Sequence, residues 1–155
     1  MLDDDFSGLR EITRLAIWKV SSVKSGYPIS HLFDNDISTF WQTDSTPPHT
    51  VWGQFPKQTF IARVSIYVSL RDDETYTPLE FQIHVGSGPN QMEELKVVQM
   101  SIYYGWVHID VNASTVFLGI SVTKNHDGGK DTHIRQIKVF GTNSPMNGTG
   151  MGSLR

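Results

Sequence analysis

The chain of 155 residues contains no cysteine. This absence excludes disulfide frameworks, thiolate metal sites and every reaction that passes through a cysteine thioester. A cysteine-free chain fits the nucleus and the cytoplasm, where we expect the protein to act. The opening sequence, MLDDDFSGLREI, has no basic stretch followed by an apolar run, so we expect no secretory signal there.

The chain also has no excess of positive charge and no long apolar run. Its formal net charge is −3, which argues against nucleic acid as a partner. No apolar stretch approaches the roughly 20 residues that span a bilayer, so we expect no membrane association. A hydrophobic content of 38% is ordinary for a folded domain, and a chain of this length can bury one sizeable core.

Helical periodicity is nearly absent, whereas alternation of apolar and polar residues recurs along the chain. Every second residue from Phe60 to Leu70 is apolar, which predicts a strand with one buried face. Further candidate strands share this two-residue period: 16–22, 50–55, 79–85, 94–100, 107–111, 116–122 and 132–140. The last of these changes phase near Arg135-Gln136, which predicts a β-bulge. Only Ser7–Leu15 is a candidate short helix.

These eight candidate strands, separated by turn-rich loops, predict an all-β antiparallel sandwich of the jelly-roll type. We assign residues 1–140 to this single domain. The remaining segment, GTNSPMNGTGMGSLR over 141–155, is small and polar, and this composition predicts a flexible C-terminal tail ending in Leu-Arg.

Loops are where a β-sandwich usually carries its function, and the first polar loop runs from His31 to His49. Asp34, Asn35 and Asp36 are weak candidates for calcium, because their oxygens are hard ligands. The loop lacks the spaced ligands of an EF-hand. Since Asp and Asn also form turns through local hydrogen bonds, we favour a structural corner and predict no required metal or cofactor.

Two further loops are rich in polar residues: RDDETYTP at 71–78 and KNHDGGKDTH at 124–133. His126, Asp131 and His133 could form a zinc or acid–base cluster, as in a metal hydrolase. However, no helix holds two His residues four positions apart, and no Gly-flanked Ser nucleophile is present. Gly128-Gly129 predicts a turn. A recognition loop or a plain solvated turn therefore explains the third loop better than catalysis does.

Five segments carry a more specific pattern: LREITRLAIWKVSS, LFDNDISTFWQTDSTPPH, DDETYTPLEFQIHVG, GWVHIDV and NHDGGKDTHIRQIKVF. Their order and spacing, from about Leu9 to Phe140, resemble the Doc domain family of the anaphase-promoting complex, a multi-subunit ubiquitin ligase. The fold that this resemblance implies is a galactose-binding-domain-like jelly roll, in agreement with the alternation described above.

The resemblance implies a non-catalytic substrate co-receptor rather than an enzyme. In that family the Doc domain and a WD40 coactivator together hold the destruction-box degron of substrates such as cyclins and securin, and this promotes processive ubiquitination in mitosis. The implied partners are the scaffold and tetratricopeptide subunits of the complex, its WD40 coactivators and its substrates.

The degron-binding residues that the resemblance implies lie in the second and third loops: Asp73, Glu74, Thr75, Tyr76, Asn125, His126, Gly128, Asp131 and His133. Some family members have Asn where this chain has Gly128, which offers only its backbone. Because polar loop residues usually affect stability little, we expect joint replacement of Asn125, His126, Asp131 and His133 by Ala to leave the fold intact.

The family typically ends in Ile-Arg, which docks in a tetratricopeptide groove, whereas this chain ends in Leu154-Arg155. Leu keeps the apolar volume, so the resemblance implies a scaffold-docking tail, although the tail is short. The alternative from another functional class is a carbohydrate- or calcium-binding module of the same fold. A secretory signal and disulfides would favour that alternative.

Overall fold

The computed structural model describes residues 5–100 and 104–143. In chain order the strands are β1 (Leu9–Glu11), β2 (Ile17–Val20), β3 (Trp41–Gln42), β4 (His49–Ser69), β5 (Pro78–Gly86), β6 (Met92–Gln99), β7 (Tyr104–Asn125), β8 (His133–Ile134) and β9 (Gln136–Thr142). One helical turn, α1 (Leu70–Asp73), follows β4. Shorter 3₁₀ turns cover Thr13–Leu15, Ile29–Leu32, Glu74–Tyr76 and His126–Gly128.

The two long strands β4 and β7 pair antiparallel to each other over most of their length. The first half of β4 has β2 on its other side, whereas the second half has β9 there. Likewise β5 pairs only with the C-terminal half of β7. The long strands therefore pass from one layer to the other, and the strand order β1-β9-β4-β7-β5-β6 gives a jelly-roll β-sandwich. The predicted fold class is confirmed.

Apolar side chains of both layers form one core between them. Val64, Ile66 and Val68 of β4 are fully buried, as their alternation predicts. They are joined by residues of the other strands and of the first loop: Leu32, Trp41, Phe81, Ile83, Leu118, Ile120, Val122, Ile137 and Val139. The core thus extends to the end of the sandwich at which the polar loops lie.

Three details of the predicted strands are wrong. Segments 50–55 and 60–70 belong to one continuous strand, as do 107–111 and 116–122. Phe60 is 40% exposed while Ile61 is fully buried, because irregular pairing with β7 between Ile61 and Arg63 reverses the inward phase. The candidate helix at Ser7–Leu15 is instead β1 followed by a 3₁₀ turn, since Leu9–Glu11 pairs with β9.

The predicted phase change near Arg135-Gln136 is present as a break in the strand. Arg135 separates β8 from β9, and its backbone N–H donates to the carbonyl of Tyr67 at 3.0 Å. As a result β8 pairs with β3 in a separate two-stranded ladder, while β9 joins the large sheet. At this break the Arg135 side chain is buried, with 9% exposure.

Beyond the predicted boundary at residue 140, β9 continues through Gly141 and Thr142. Most of the predicted tail, including Leu154 and Arg155, lies outside the described residues, so the scaffold-docking role of the tail stays a prediction. Among the described residues, no helix has the length and apolar character needed to cross a bilayer.

Candidate functional site

The second and third loops are packed against each other at one end of the sandwich. The His126 N–H donates to the Thr77 carbonyl at 2.9 Å, and the Thr132 hydroxyl donates to the Tyr76 carbonyl at 3.2 Å. The approach is closest at Gly129, where an added Cβ would lie 1.9 Å from the carbonyl oxygen of Thr75. Only glycine permits this contact, and the two loops therefore form one continuous surface.

Local capping determines which side chains of the second loop face inwards. The Ser69 hydroxyl accepts from the Asp72 N–H at 3.3 Å and donates to the Asp72 carboxylate at 2.8 Å, which begins α1. Glu74 ends this turn with a positive φ of 52°. Asp73 is consequently buried, whereas Glu74, Thr75 and Tyr76 are exposed.

Asp73, at 3% exposure, is the centre of a buried polar cluster. It accepts a two-pronged pair of hydrogen bonds from Arg135, Nε at 3.0 Å and Nη2 at 2.7 Å, and a third from His133 Nδ1 at 2.9 Å. Burial acts to raise the pKa of Asp73, but the hydrogen bonds from His133 and Arg135 outweigh it and leave that pKa below its ordinary value. The hydrogen bond to Asp73 raises the pKa of Arg135.

An aromatic stack connects this cluster to the surface. The His133 ring lies between Phe40 and Tyr76, with centroid distances of 3.9 and 4.2 Å, and Tyr27 stacks on Phe40 at 4.9 Å. The Arg135 guanidinium lies 5.1 Å from the centre of the Phe40 ring. Tyr76, at the outer end of the stack, is 39% exposed. Its ring is thereby held in one orientation.

The third loop is closed by hydrogen bonds from its own polar side chains. The Asn125 amide donates to the carbonyls of Gly129 at 3.1 Å and Asp131 at 2.8 Å, and its oxygen accepts from the Thr132 hydroxyl at 2.8 Å. The Asp131 carboxylate accepts from the Thr43 hydroxyl at 3.1 Å, which ties the third loop to the first. These groups are used within the protein and are not free to meet a ligand.

The predicted site residues, together with Asp127 and Arg135, which were not predicted as degron-binding, therefore divide into two sets. The first, which we call the buried framework, holds the loops: Asp73, Asn125, His133 and Arg135, which are buried, and Asp131, which is half-buried. The second, the exposed rim, faces outwards at the junction of the two loops: Glu74, Thr75, Tyr76, Asp127 and Gly128. His126 is partly exposed, but its Nε2 is buried and has no hydrogen-bond partner among residues 5–100 and 104–143.

This division corrects one expectation. Joint replacement of Asn125, His126, Asp131 and His133 by Ala should instead destabilise the fold. Removing Asn125 unpairs two loop carbonyls, and removing His133 takes one hydrogen bond from buried Asp73. Buried polar groups left without partners cost about 1–3 kcal/mol each.

In the first loop the weak metal candidates form a turn. Asp34 accepts from the Thr39 hydroxyl at 2.6 Å and from the Gln136 amide at 2.6 Å, while Asp36 accepts from the Ser38 N–H at 2.9 Å. Asn35 has a positive φ of 59°, as Asn in turns often does. Within the described ranges no group of three or more His, Cys, Asp or Glu residues is arranged to hold a metal ion.

Arg135, Phe40 and Gln42 belong to the site but were not predicted for it. Gln42 places its Oε1 2.9 Å from Nε2 of His133, so both ring nitrogens of His133 are engaged. For Arg135 a signal was available, because a charged residue interrupts an otherwise apolar alternation at the phase change of the last strand. Phe40 and Gln42 carried no comparable signal.

Comparisons with known proteins agree on one family. The sequence matches the family described as "Anaphase-promoting complex, subunit 10 (APC10)" over residues 4–151. Anaphase-promoting complex subunit 10 of Homo sapiens is 34% identical over 138 residues, which cover 85% of this chain and 75% of the relative. The Drosophila melanogaster protein of the same name is 39% identical over 137 residues, covering 84% and 70%. Anaphase-promoting complex subunit DOC1 of Saccharomyces cerevisiae is 31% identical over 144 residues, covering 88% and 58%.

Solved structures with a similar fold include sugar-binding modules. The family 32 CBM of Clostridium perfringens NanJ, in complex with galactose, matches with a TM-score of 0.71 and 13% identity over 85% of this chain and 98% of that one. The module CpGH89CBM32-5 of the same organism, in complex with GalNAc-β-1,3-galactose, matches with a TM-score of 0.71 and 11% identity over 84% and 99%. At such identities the likeness shows the galactose-binding-like fold alone.

Proposed function

We propose, on the premise that this chain belongs to the anaphase-promoting complex subunit 10 family, that it is a substrate-recognition subunit of that ubiquitin ligase. It acts beside a WD40 coactivator as co-receptor for destruction-box degrons and makes ubiquitination more processive. The observation that carries the proposal is the junction of the second and third loops, where Gly129 packs against Thr75 and joins both loops in one exposed rim.

The exposed rim suits an extended peptide. Glu74 and Asp127 offer carboxylates, Thr75 offers a hydroxyl, and Tyr76 offers one partly exposed aromatic ring. Single contacts of this kind contribute only about 0.5–1.5 kcal/mol each. Such weak binding is sufficient if the coactivator holds another part of the same peptide, because the second contact is then made at a high effective concentration.

The buried framework lowers the cost of binding. Asp73 is adjacent to the rim residue Glu74, and His133 stacks on the rim residue Tyr76 at 4.2 Å. The rim is therefore ordered before a peptide arrives, and less conformational entropy is lost on binding. This arrangement supports specific recognition by a surface with few strong contacts.

The proposed role is not enzymatic. With no cysteine, the chain cannot carry ubiquitin as a thioester. The candidate acid–base groups of the third loop support the same conclusion, since Asp131 is bound to Thr43 and His133 to Asp73 and Gln42. Ubiquitin transfer then belongs to other subunits of the ligase.

The test is an anaphase-promoting complex reconstituted with this chain as its subunit 10. The rim variant combines Glu74→Ala, Thr75→Ala and Asp127→Asn; Asn is chosen because Asp127 has a positive φ of 52°. The control variant changes three exposed residues outside these loops, Lys57, Glu93 and Glu94, to Ala.

With a cyclin substrate, the complex that contains the rim variant should attach fewer ubiquitins per binding event than the wild-type complex. The complex that contains the control variant should match wild type. Both should enter the complex and melt like wild type, since exposed substitutions usually change stability by no more than about 0.5 kcal/mol. Undiminished processivity with the rim variant would refute the proposal. A parallel titration with galactose tests the carbohydrate alternative. Binding of galactose without binding of a degron peptide would favour that alternative.

A further inference from the structure

One outer face of the sandwich, formed by β9 and the paired halves of β4 and β7, is aromatic where a solvated sheet face is normally polar. Tyr67, Trp106 and Phe140 alternate with buried core residues of these strands and are only half-buried. Phe6 packs over one end of the face, with its ring 4.9 Å from that of Phe140. Contiguous aromatic surface of this kind is typical of an interaction site.

The strand register gives this face the shape of a groove. Ser65 of β4, only 1% exposed, lies opposite His108 of β7 on one side and Lys138 of β9 on the other. Its small side chain forms the floor, and its hydroxyl lies 2.6 Å from Nδ1 of His108. The groove has a volume of about 570 Å³, and its lining residues are Phe6, Ser65, Trp106, His108, Lys138 and Phe140. It has room for more than one bulky side chain.

Lys138 gives the groove a positive charge that is not neutralised. Its Nζ lies 5.3 Å from the centre of the Trp106 ring, which holds the ammonium group beside the groove. Across the ranges 5–100 and 104–143, no carboxylate forms an ion pair with it. Arg63, on the same face, differs in this respect, because its Nε donates to the Asp110 carboxylate at 3.0 Å. The groove thus combines aromatic walls with one cation that lacks a counter-charge.

We propose that this groove docks an extended acidic segment of a partner protein. One carboxylate of the segment meets the Lys138 ammonium, and one bulky apolar side chain packs between Trp106 and Phe140. Successive side chains of an extended chain point to opposite sides, so the two anchors are separated by one residue. A basic segment is rejected, because it would place a second cation beside Lys138.

This groove and the exposed rim are different surfaces. The lining residues of the groove belong to strand interiors and to the segment before β1, and none of them lies in 71–78 or 124–133. Docking in the groove therefore goes beyond the proposed function, and the two can be tested separately.

The variant that tests the role of the charge is Lys138→Glu. It reverses the cation on which the docking depends, and the side chain lies half-buried on the outer face rather than in the core. Lys19→Glu makes the same change of net charge at an exposed position of β2 outside the groove, and it serves as the matched control. Thermal unfolding should show that both variants are folded.

The probes are peptides selected from a phage-displayed library of random short sequences, with the full wild-type chain as the target. We expect the selected peptides to share an acidic residue and a bulky apolar residue separated by one position. A consensus without an acidic residue would overturn the proposal, and so would a library that yields no binding peptide.

Binding of a synthetic consensus peptide is measured by NMR titration. The indole N–H resonance of Trp106 and the amide resonance of Lys138 should shift, and the affinity should fall as salt is raised. Lys138→Glu should weaken binding about five- to tenfold, since an ion pair is lost and two like charges face each other. Lys19→Glu should bind like wild type. A peptide with Lys in place of the acidic residue should prefer Lys138→Glu to wild type.

Any of three further results overturns the proposal. Shifts at the exposed rim without shifts at Trp106 would place the peptide elsewhere. Equal affinities of Lys138→Glu and Lys19→Glu would remove the role of the charge. Self-association of the free chain, detected by analytical ultracentrifugation and abolished by Lys138→Glu, would assign the groove to a second copy of the chain. The proposed function is unaffected by these results, because the rim variant tests it in the reconstituted ligase.

Discussion

The buried framework and the exposed rim come from the same two loops, yet they differ in almost every physical respect. Asp73 and Glu74 are neighbours in the chain, but Asp73 accepts three hydrogen bonds from Arg135 and His133 while Glu74 faces solvent. The comparison teaches that acidic or polar character in a loop does not identify a ligand-binding residue. The side chains that hold the loop and those available to a ligand can alternate one by one.

The difference also separates stability from recognition. Framework side chains are desolvated and paired, so losing one leaves a buried partner unpaired. Rim side chains are solvated, so losing one removes only contacts with a ligand. The following experiments test whether this separation holds.

The largest effect is expected for Asp73→Ala. The substitution leaves the Arg135 guanidinium and the His133 ring buried without their shared carboxylate, and breaking such a pair costs about 3–5 kcal/mol. Urea unfolding should show this loss, whereas Glu74→Ala, one residue further on, should change stability by less than about 0.5 kcal/mol. Equal losses for the two variants would show that framework and rim are not distinct.

Two adjacent glycines offer the next comparison. At Gly129 an added Cβ would lie 1.9 Å from the Thr75 carbonyl oxygen, so Gly129→Ala must push the loops apart and should cost about 1–3 kcal/mol. Gly128 has a φ of 70° and open space around its Cβ position, so Gly128→Ala pays only for backbone strain, about 1 kcal/mol.

Peptide titration sharpens this second comparison, because only Gly129→Ala should also abolish binding to the exposed rim. Thermal unfolding of both variants checks the stabilities. A Gly129→Ala protein that binds the destruction-box peptide like wild type would show that contact between the two loops is not required for recognition.

A third test uses acid. Because the pKa of Asp73 is below its ordinary value of 3.8, the carboxylate stabilises the fold fully above that pH, and this contribution is lost as the pH falls through the folded-state value. The difference in unfolding free energy between wild type and Asp73→Asn should therefore be largest near neutral pH and should narrow below pH 3.8. A difference that is constant from neutral pH to the acid transition would contradict the charged state of Asp73.

A modest effect on stability is expected for Tyr76→Ala, about 0.5–1.5 kcal/mol, since only the outer ring of the stack is lost. Tyr76→Phe keeps the ring and should melt like wild type. Because the ring of the rim residue Tyr76 also stacks on His133 of the framework, Tyr76→Ala should lower both melting temperature and peptide affinity. A lower melting temperature with unchanged peptide affinity would assign Tyr76 to the buried framework alone. A lower affinity with unchanged melting temperature would assign it to the exposed rim alone.

Much of the fold could be read from local pattern. Alternation in Val64, Ile66 and Val68 follows from the two-residue period of a strand, so a sheet with one buried face was predictable. The continuity of β4 and β7 was not predictable, because the irregular pairings within these strands depend on the partner strand. Phe60 was placed on the wrong face for that reason.

The site divides in the same way. Residue composition alone identified the second and third loops as candidate binding loops, because their polar, Gly-containing and aromatic residues do not suit strand interiors. It could not distinguish Asn125, which closes the third loop from within, from Gly128, which is exposed, since both belong to one polar run. Arg135 was overlooked because its partner Asp73 lies 62 positions away in the chain.

By itself, then, the sequence determined that this protein is a cysteine-free, all-β domain with three polar loops, because strand period and composition are local properties. Tertiary structure alone decided which loop residues are buried, through contacts such as Gly129 with Thr75 and Arg135 with Asp73. It also left Nδ1 of His49 buried and without a hydrogen-bond partner among the residues that the structure describes. Hydrogen-bond partners and desolvation are set by residues distant in sequence, and only folding brings those residues together.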